Sequence, residues 1–595
     1  MKPILYIFSM LLLLSITSCT KDFLKEKPVD NIYADNLLVD YDGFVNMQNA
    51  LYAMVRDEYD RADRKIGGTS FGSLPFAKST MFSVGADNAW GNNRHSDFRH
   101  FSFPKNITTM TDAESFLAIF EWLYKVVNSA NMIITRAENT DIDWKGGSAQ
   151  GDQANKNTIL ANARLIRAWA YRHLTYSFGP VPLSTEEITG SNYRTDWERT
   201  PLAAIREVME QDWLFAIQHL PMRTSDNTQP SQAIARHYLG EMYLAMQRNL
   251  DAKNILQPLV EGQEYGLMTA RFGANASKPG NVFMDLFRTP LYSGGNREVL
   301  WAFLNTEPEN AAYGISPNSF MRNMWQNYYS NLSDISKLSH SQYPGKSIKL
   351  FWSLNDGKGA GRAAISIGAM NLYKYKGQQD KDIRYDKYSF VWDLYFLGED
   401  NKEYVLKNSK GASLINLTPN KAMSNDADPT IKQYNLPSTR KWAYLHPNFE
   451  QADIDKQYND MVYLRLAETY LLYAEALYKL NDPTSVSWIN QIRDRAGVSQ
   501  VSLADMSIDL ILDERSRELI TEEQRRHTLV RLSQEGGKDE RQANNVFKTR
   551  TRLYNEVSGR EVRGMSDDVT PVLFPIPKTF IDSNSGRKIE QNPGY

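Results

Sequence analysis

Cysteine is almost missing from this chain: one occurs in 595 residues, at position 19. No intramolecular disulfide can form. A surplus of charge is missing too. The formal net charge is −2, and no block of lysine and arginine marks a basic groove, which argues against nucleic acid as a partner. The common catalytic signatures are absent: there is no G-x-S-x-G, H-E-x-x-H or Walker A pattern. The 8 histidines are scattered without metal-ligand spacing. Asp141 with Asp143, and Asp426 with Asp428, are the closest loop carboxylates, but each pair lacks the further ligands and patterned glycine of a calcium loop. They read as solvated turns, and no cofactor is expected. After the amino-terminal segment, no stretch is long and apolar enough to span a bilayer as a helix.

What is present begins at the amino terminus. Lys2 supplies a positive charge, residues 4–16 form an apolar run too short for a comfortable span, and Thr17-Ser18 are small. Ile16-Thr17-Ser18-Cys19 resembles a bacterial lipobox, so cleavage before Cys19 and acylation of that residue are expected. Several acyl chains would anchor the chain without a spanning helix. Residues 20–30 are polar and read as a tether.

Helical periodicity dominates two regions. Residues 40–59, 113–138, 158–178 and 201–219 each place apolar side chains at three- and four-residue steps, and Gly179-Pro180 stops the third. Residues 231–260 carry a repeat signature. Leu239-Gly240-Glu241-Met242-Tyr243 fits the L-G-x-x-Y of a tetratricopeptide helix, although Arg236 stands where that motif has tryptophan. Gly240 and Ala252 are small where paired helices must approach. The second region opens with Leu464, Ala467, Leu471, Ala474 and Leu477 on one face, breaks at Asn481-Asp482-Pro483, and resumes with Val486, Ile489 and Ile492. Arg493, Arg495 and Gly497 suit that helix's end. The expected fold is mainly α: about four tetratricopeptide-like helix pairs, with a loop-rich insertion between the third and fourth. In the insertion, residues 270–457, periodicity fades and Gly, Asn, Ser and Tyr rise. A structureless loop of that length would be improbable, so short helices and strands are expected, with 296–304 and 389–397 as strands. The boundaries follow: signal 1–18, tether 19–30, helical part 31–269, insertion 270–457, and a closing helical part and extended tail 458–595.

The charged stretch 513–531 alternates acids and bases. Asp513 with Arg517 and Glu522 with Arg526 fall at i,i+4, so a solvated, salt-bridged helix face is expected, with His527 at the surface.

The runs RLAETYLLYAEAL, INQIRDRAGV and ERSRELITEEQRR, with the closing LFPIPKTFIDSNSGRKIEQNPGY, resemble the carboxy-terminal signature of the SusD/RagB family. The segment ARLIRAWAYRHLTYSFGPVPL is similar to that family's second helical block, and the resemblance extends over the whole chain. It implies a non-enzymatic lipoprotein of the cell outer membrane, facing outward. Such a protein binds an oligosaccharide or polysaccharide and delivers it to a SusC-like TonB-dependent transporter. A peptide-binding, RagB-like member is the alternative, and a surface glycosidase a third.

Sugar binding needs flat aromatic faces beside fixed donors and acceptors. Asp87, Asn88, Trp90, Asn93 and Arg94 are candidate ligand-binding residues within one loop, with Trp90 to stack and Asp87, Asn93 and Arg94 to hydrogen-bond. The family builds its glycan sites from this loop and from aromatics of the insertion. That resemblance points to Trp325, Tyr328, Tyr329 and Trp352.

Overall fold

A computed structural model describes residues 37–62, 65–66, 69–70, 76–91, 114–147, 151–289, 295–305, 320–326, 348–350, 359, 361–393, 395–398, 402–405, 437–443, 459–535, 546–557 and 572–595. Helix α1, Tyr41–Arg56, starts where the Asp40 carboxylate accepts from the Gly43 amide at 2.8 Å. It buries Phe44, Leu51 and Val55, spaced at seven and then four residues along one face. Helix α2 is Glu114–Arg136, and α3 is Asp152–Phe178. From Ile159 onward α3 is buried almost all round, as expected of a helix central to a stack rather than at its surface. It ends at Gly179, whose φ of 73° favours glycine, and a Cβ there would stand 2.7 Å from Leu573 of the tail. Helices α4 (Leu202–His219), α5 (Gln232–Ala245) and α6 (Asn249–Val260) follow. A Cβ on Gly240 of α5 would meet Leu256 of α6 at 2.5 Å. That is the close approach its motif requires.

Each helix from α1 to α6 packs against the next. The stack then continues into α7, Leu466–Lys479, and α8, Ser485–Arg495, because α6 packs directly on α7. The chain between α6 and α7 is therefore an insertion that leaves the stack unbroken, in agreement with the mainly α, paired-helix expectation. No helix among the described residues is long and apolar enough to cross a membrane.

The described part of the insertion is made of short elements. Strand β2, Val299–Phe303, pairs antiparallel with β4, Met461–Arg465, at the threshold of α7. The stretch expected as one strand over 389–397 divides: Phe390–Val391 pairs with Ser438–Thr439, while Tyr395–Gly398 joins a different sheet. The tail crosses the end of α3. Phe574 donates its amide to the Ser177 carbonyl at 2.7 Å, and the Asn592 side chain donates to the Phe178 carbonyl at 2.9 Å.

The charged stretch 513–531 corrects the sequence expectation. It is two helices, α9 (Ile508–Leu519) and α10 (Arg525–Ser533), separated by a turn containing Thr521 at φ 66°. Its charges face inward. Glu514, Arg515, Arg517, Glu518, Arg525, Arg531 and His527 are all buried. Nor are the i,i+4 pairs the ones formed. Asp513 accepts from Arg550, Arg517 pairs with Glu514, and Glu522 accepts from Arg465 and Lys441. The buried Glu and Arg charges are tolerated because they meet opposite charges, while burial holds His527 neutral against His173. Arg384, Arg465, Arg493 and Arg495 converge with Glu298, Glu514 and Glu518. Arg493 and Arg495 thus do more than cap the end of α8. Burial draws the Lys441 ammonium pKa down to about 8 against the pull of Glu522.

Candidate ligand-binding site

The site is built from the base of the loop that carries Trp90. A short helix, Lys78–Met81, leads into a tight turn at Gly85 (φ 71°), whose amide donates to the Ala89 carbonyl at 3.0 Å. Strand β1, Ala89–Gly91, then pairs antiparallel with β3, Ala363–Ile365, of the insertion, with Trp90 opposite Ala364. Ser366 locks the junction. Its amide donates to the Asn88 carbonyl at 2.9 Å and its hydroxyl to the Asp87 carbonyl at 2.8 Å. The same hydroxyl caps the helix Ile367–Leu372.

Asp87 lies under this junction rather than at the surface. Its carboxylate accepts two hydrogen bonds from Arg525, both 2.8 Å, and one from Arg550 at 3.2 Å. Burial raises its pKa, but the Arg525 and Arg550 charges and hydrogen bonds outweigh burial and hold the carboxyl below its ordinary value. Arg525 continues to Glu523, which also accepts from Arg515 at 2.7 Å. Arg526 spans the gap from the other side, donating to the Gly85 carbonyl at 3.2 Å and to the Val572 carbonyl at 2.8 Å. The carboxy-terminal elbow between α9 and α10 is therefore the mount on which the amino-terminal loop sits.

The insertion supplies the other flank. The helix Met321–Trp325 packs against β3 and against the strand Phe76–Ala77. Ser79 reaches Met321 Sδ at 3.0 Å, and the Gly361 amide donates to the Gln326 carbonyl at 2.7 Å. A Cβ on Gly359 would stand 2.1 Å from that carbonyl, so only glycine fits.

These placements sort the sequence candidates. The loop of residues 87–91 and the segment around Trp325 do come together, as two sides of one junction. Asp87, Asn88 and Trp325 are buried in it, at 1%, 3% and 3% exposure. The ligand contact expected of Asp87 and Asn88 gives way to bracing. The physical reason is the Arg525 and Arg550 pairing, together with main-chain bonds that fold both residues inward. Trp325 packs in the core rather than offering a face. Trp90 is described through its backbone, while Asn93, Arg94, Tyr328, Tyr329, Trp352 and Cys19 lie outside the described residues. Arg525, Arg526, Arg550 and Ser366 were not anticipated. Spacing could not reveal them, since Arg525 lies 438 residues from Asp87. Among the described residues, no three His, Cys, Asp or Glu side chains converge as a metal site.

The SusD family model matches residues 302–595, and a second model, described as starch-binding associating with outer membrane, matches residues 40–244. The chain belongs to the SusD family. It is 22% identical over 507 residues to SusD-like protein P2 of Formosa agariphila, covering 82% of this chain and 83% of that protein. Among solved structures, it resembles a SusD homolog from Bacteroides thetaiotaomicron with a TM-score of 0.65 at 18% identity, over 96% of this chain and all (100%) of the other. A laminarin binding SusD-like protein matches with a TM-score of 0.61 at 18% identity, over 93% and 99% of the two chains.

Proposed function

We propose that this chain is a non-enzymatic, lipid-anchored protein of the outer membrane that binds a glycan and passes it to a SusC-like TonB-dependent transporter. The observation that carries the reading is the junction of β1 with β3, braced from below by Asp87, Arg525 and Arg550. The base of the loop, held by ladder and ion pair, is preorganised, which lowers the ordering cost of ligand capture. On this reading Trp90 stacks on a sugar ring, Asn93 and Arg94 hydrogen-bond hydroxyls, and Tyr328, Tyr329 and Trp352 extend the surface. The names of the similar proteins, one starch-binding family and one laminarin binder, support a glycan over a peptide. Asp87, held as a carboxylate by two arginines, is poorly suited to act as a general acid at that position.

Titration calorimetry of the chain from Cys19 onward with laminarin, starch and cellulose fragments tests this. At least one should bind, and Trp90→Ala should weaken it roughly tenfold, the loss of one aromatic stack, with the unfolding midpoint unchanged. Sustained release of reducing ends would instead make the protein a glycosidase. For the anchor, Cys19→Ala should move the protein from the membrane fraction to the soluble one; retention in the membrane would refute lipidation.

A further inference from the structure

A second concavity lies on other elements. It is a cavity of about 530 Å³ between α2, the loop over residues 182–197 and the tail helix Lys578–Ser583. That volume is within the range of small-molecule sites, roughly 300–1,000 Å³. It shares no lining residue with the β1–β3 junction.

Three half-buried aromatics line it: Tyr124, Trp197 and Phe580. Each is fixed in place. Phe120 packs its ring against Tyr124 at 4.7 Å and against Phe580 at 5.1 Å. The Arg194 guanidinium lies 4.7 Å from the centre of the Trp197 ring. Asn584 clamps the Trp197 main chain both ways, accepting from its amide at 2.8 Å and donating to its carbonyl at 2.9 Å. Asn128 does the same for Ile188, at 2.7 and 3.2 Å. The groove is rigid before any ligand arrives.

Its polar groups indicate what it takes. Glu121 and Lys125 are the charged lining residues, one of each sign, so the groove does not select for an anionic or a cationic ligand. Main-chain groups along the wall are already used: Asn128 takes both of Ile188's, and Tyr124 donates to the Pro182 carbonyl at 2.7 Å. A peptide would look for main-chain partners and find these occupied. Side-chain groups remain open instead. The Ser129 and Thr579 hydroxyls and the Lys125 ammonium have no partner among the described residues. Flat rings with scattered side-chain donors match a ligand that is apolar on its faces and hydroxylated on its rim.

We propose that this groove is a second saccharide subsite, taking one or two rings of a neutral oligosaccharide. The inference rests on the glycan reading above and adds a separate place of contact. It is tested on the full chain from Cys19, purified in detergent, by calorimetry with laminarihexaose, maltohexaose and cellohexaose. Trp197→Ala removes a stacking face; Thr579→Tyr, at an exposed position, fills the groove without deleting a packed side chain. Each should weaken binding of the best hexaose roughly three- to tenfold. The double variant Trp90→Ala/Trp197→Ala should bind more weakly than Trp90→Ala alone. If both groove variants keep wild-type affinity while Trp90→Ala loses it, the subsite is overturned and the glycan reading stands. If the wild-type chain binds none of the three, both fail.

Discussion

Replacing Glu518 with alanine is expected to remove about 3–5 kcal/mol of folding stability, the usual result of deleting one partner of a buried ionic cluster. Glu518 is fully buried in the last turn of α9. Its carboxylate accepts from Arg465 at 2.5 Å, from Arg384 at 3.2 Å, and from Arg495. Removing it leaves three guanidinium groups facing one another in the dry interior. Urea unfolding at neutral pH measures the loss through the transition midpoint. Glu518→Gln keeps the shape and loses the charge, so it should fall between wild type and alanine. A loss below about 1 kcal/mol, the range of exposed pairs, would mean that water reaches the cluster.

The same residue sets the sign of the pH response. Burial raises its pKa, but Arg495, Arg465 and Arg384 overcome burial and hold it well below the usual glutamate range. A depressed folded value means that the contribution is complete above the unfolded pKa of about 4.3 and is lost as pH falls toward the folded one. Glu514, held down by Arg517, Arg384 and Arg493 against the same burial, adds in the same direction. Wild-type stability should therefore drop on acidification below about pH 4, and the Glu518→Ala variant should drop less steeply.

Asp87→Ala is expected to have an effect of similar size by a different route. It leaves Arg525 without its two-bond partner at 0% side-chain exposure, and Arg550 without one of three. About 3 kcal/mol or more should be lost. The loss should be concentrated in one place, because Asp87 is the ionic tie between the amino-terminal loop and α10. Amide exchange over residues 82–91 should accelerate well beyond that of α5 and α6. Uniform acceleration across all the helices would show that the tie serves the whole stack instead. Asp87→Asn, which keeps hydrogen bonding but not charge, should restore part of the protection.

The helix stack was readable in the chain because its cause is local. Leu464, Ala467, Leu471, Ala474 and Leu477 sit on one face whatever surrounds them, and all but the strand residue Leu464 lie in α7 as expected. Gly240 likewise announced a close approach, and Leu256 supplies it. The stretch 513–531 misled for the opposite reason. Alternating acids and bases look the same on a wet face and in a dry core. What decides between them is whether partners arrive from elsewhere, and Arg384 comes from 130 residues before Glu514. The candidate site divides in the same manner. Gly and Asn around residue 90 marked a loop, and the meeting of that loop with the insertion followed from resemblance. Its brace could not be foreseen, since nothing near Asp87 in sequence points to Arg525. Reading Asp87 as a ligand contact was reasonable for an acid beside Trp90, and long-range pairing overrode it.

The tie between residue 87 and residues 525 and 550 also orders events in the life of the chain. Domains are assembled as the polypeptide emerges, amino terminus first. The helices up to α6 can pair with neighbours made moments before. The ionic brace under Asp87 cannot form until more than four hundred further residues have been added, so the amino-terminal loop is secured last, when the closing segments fold back onto the beginning.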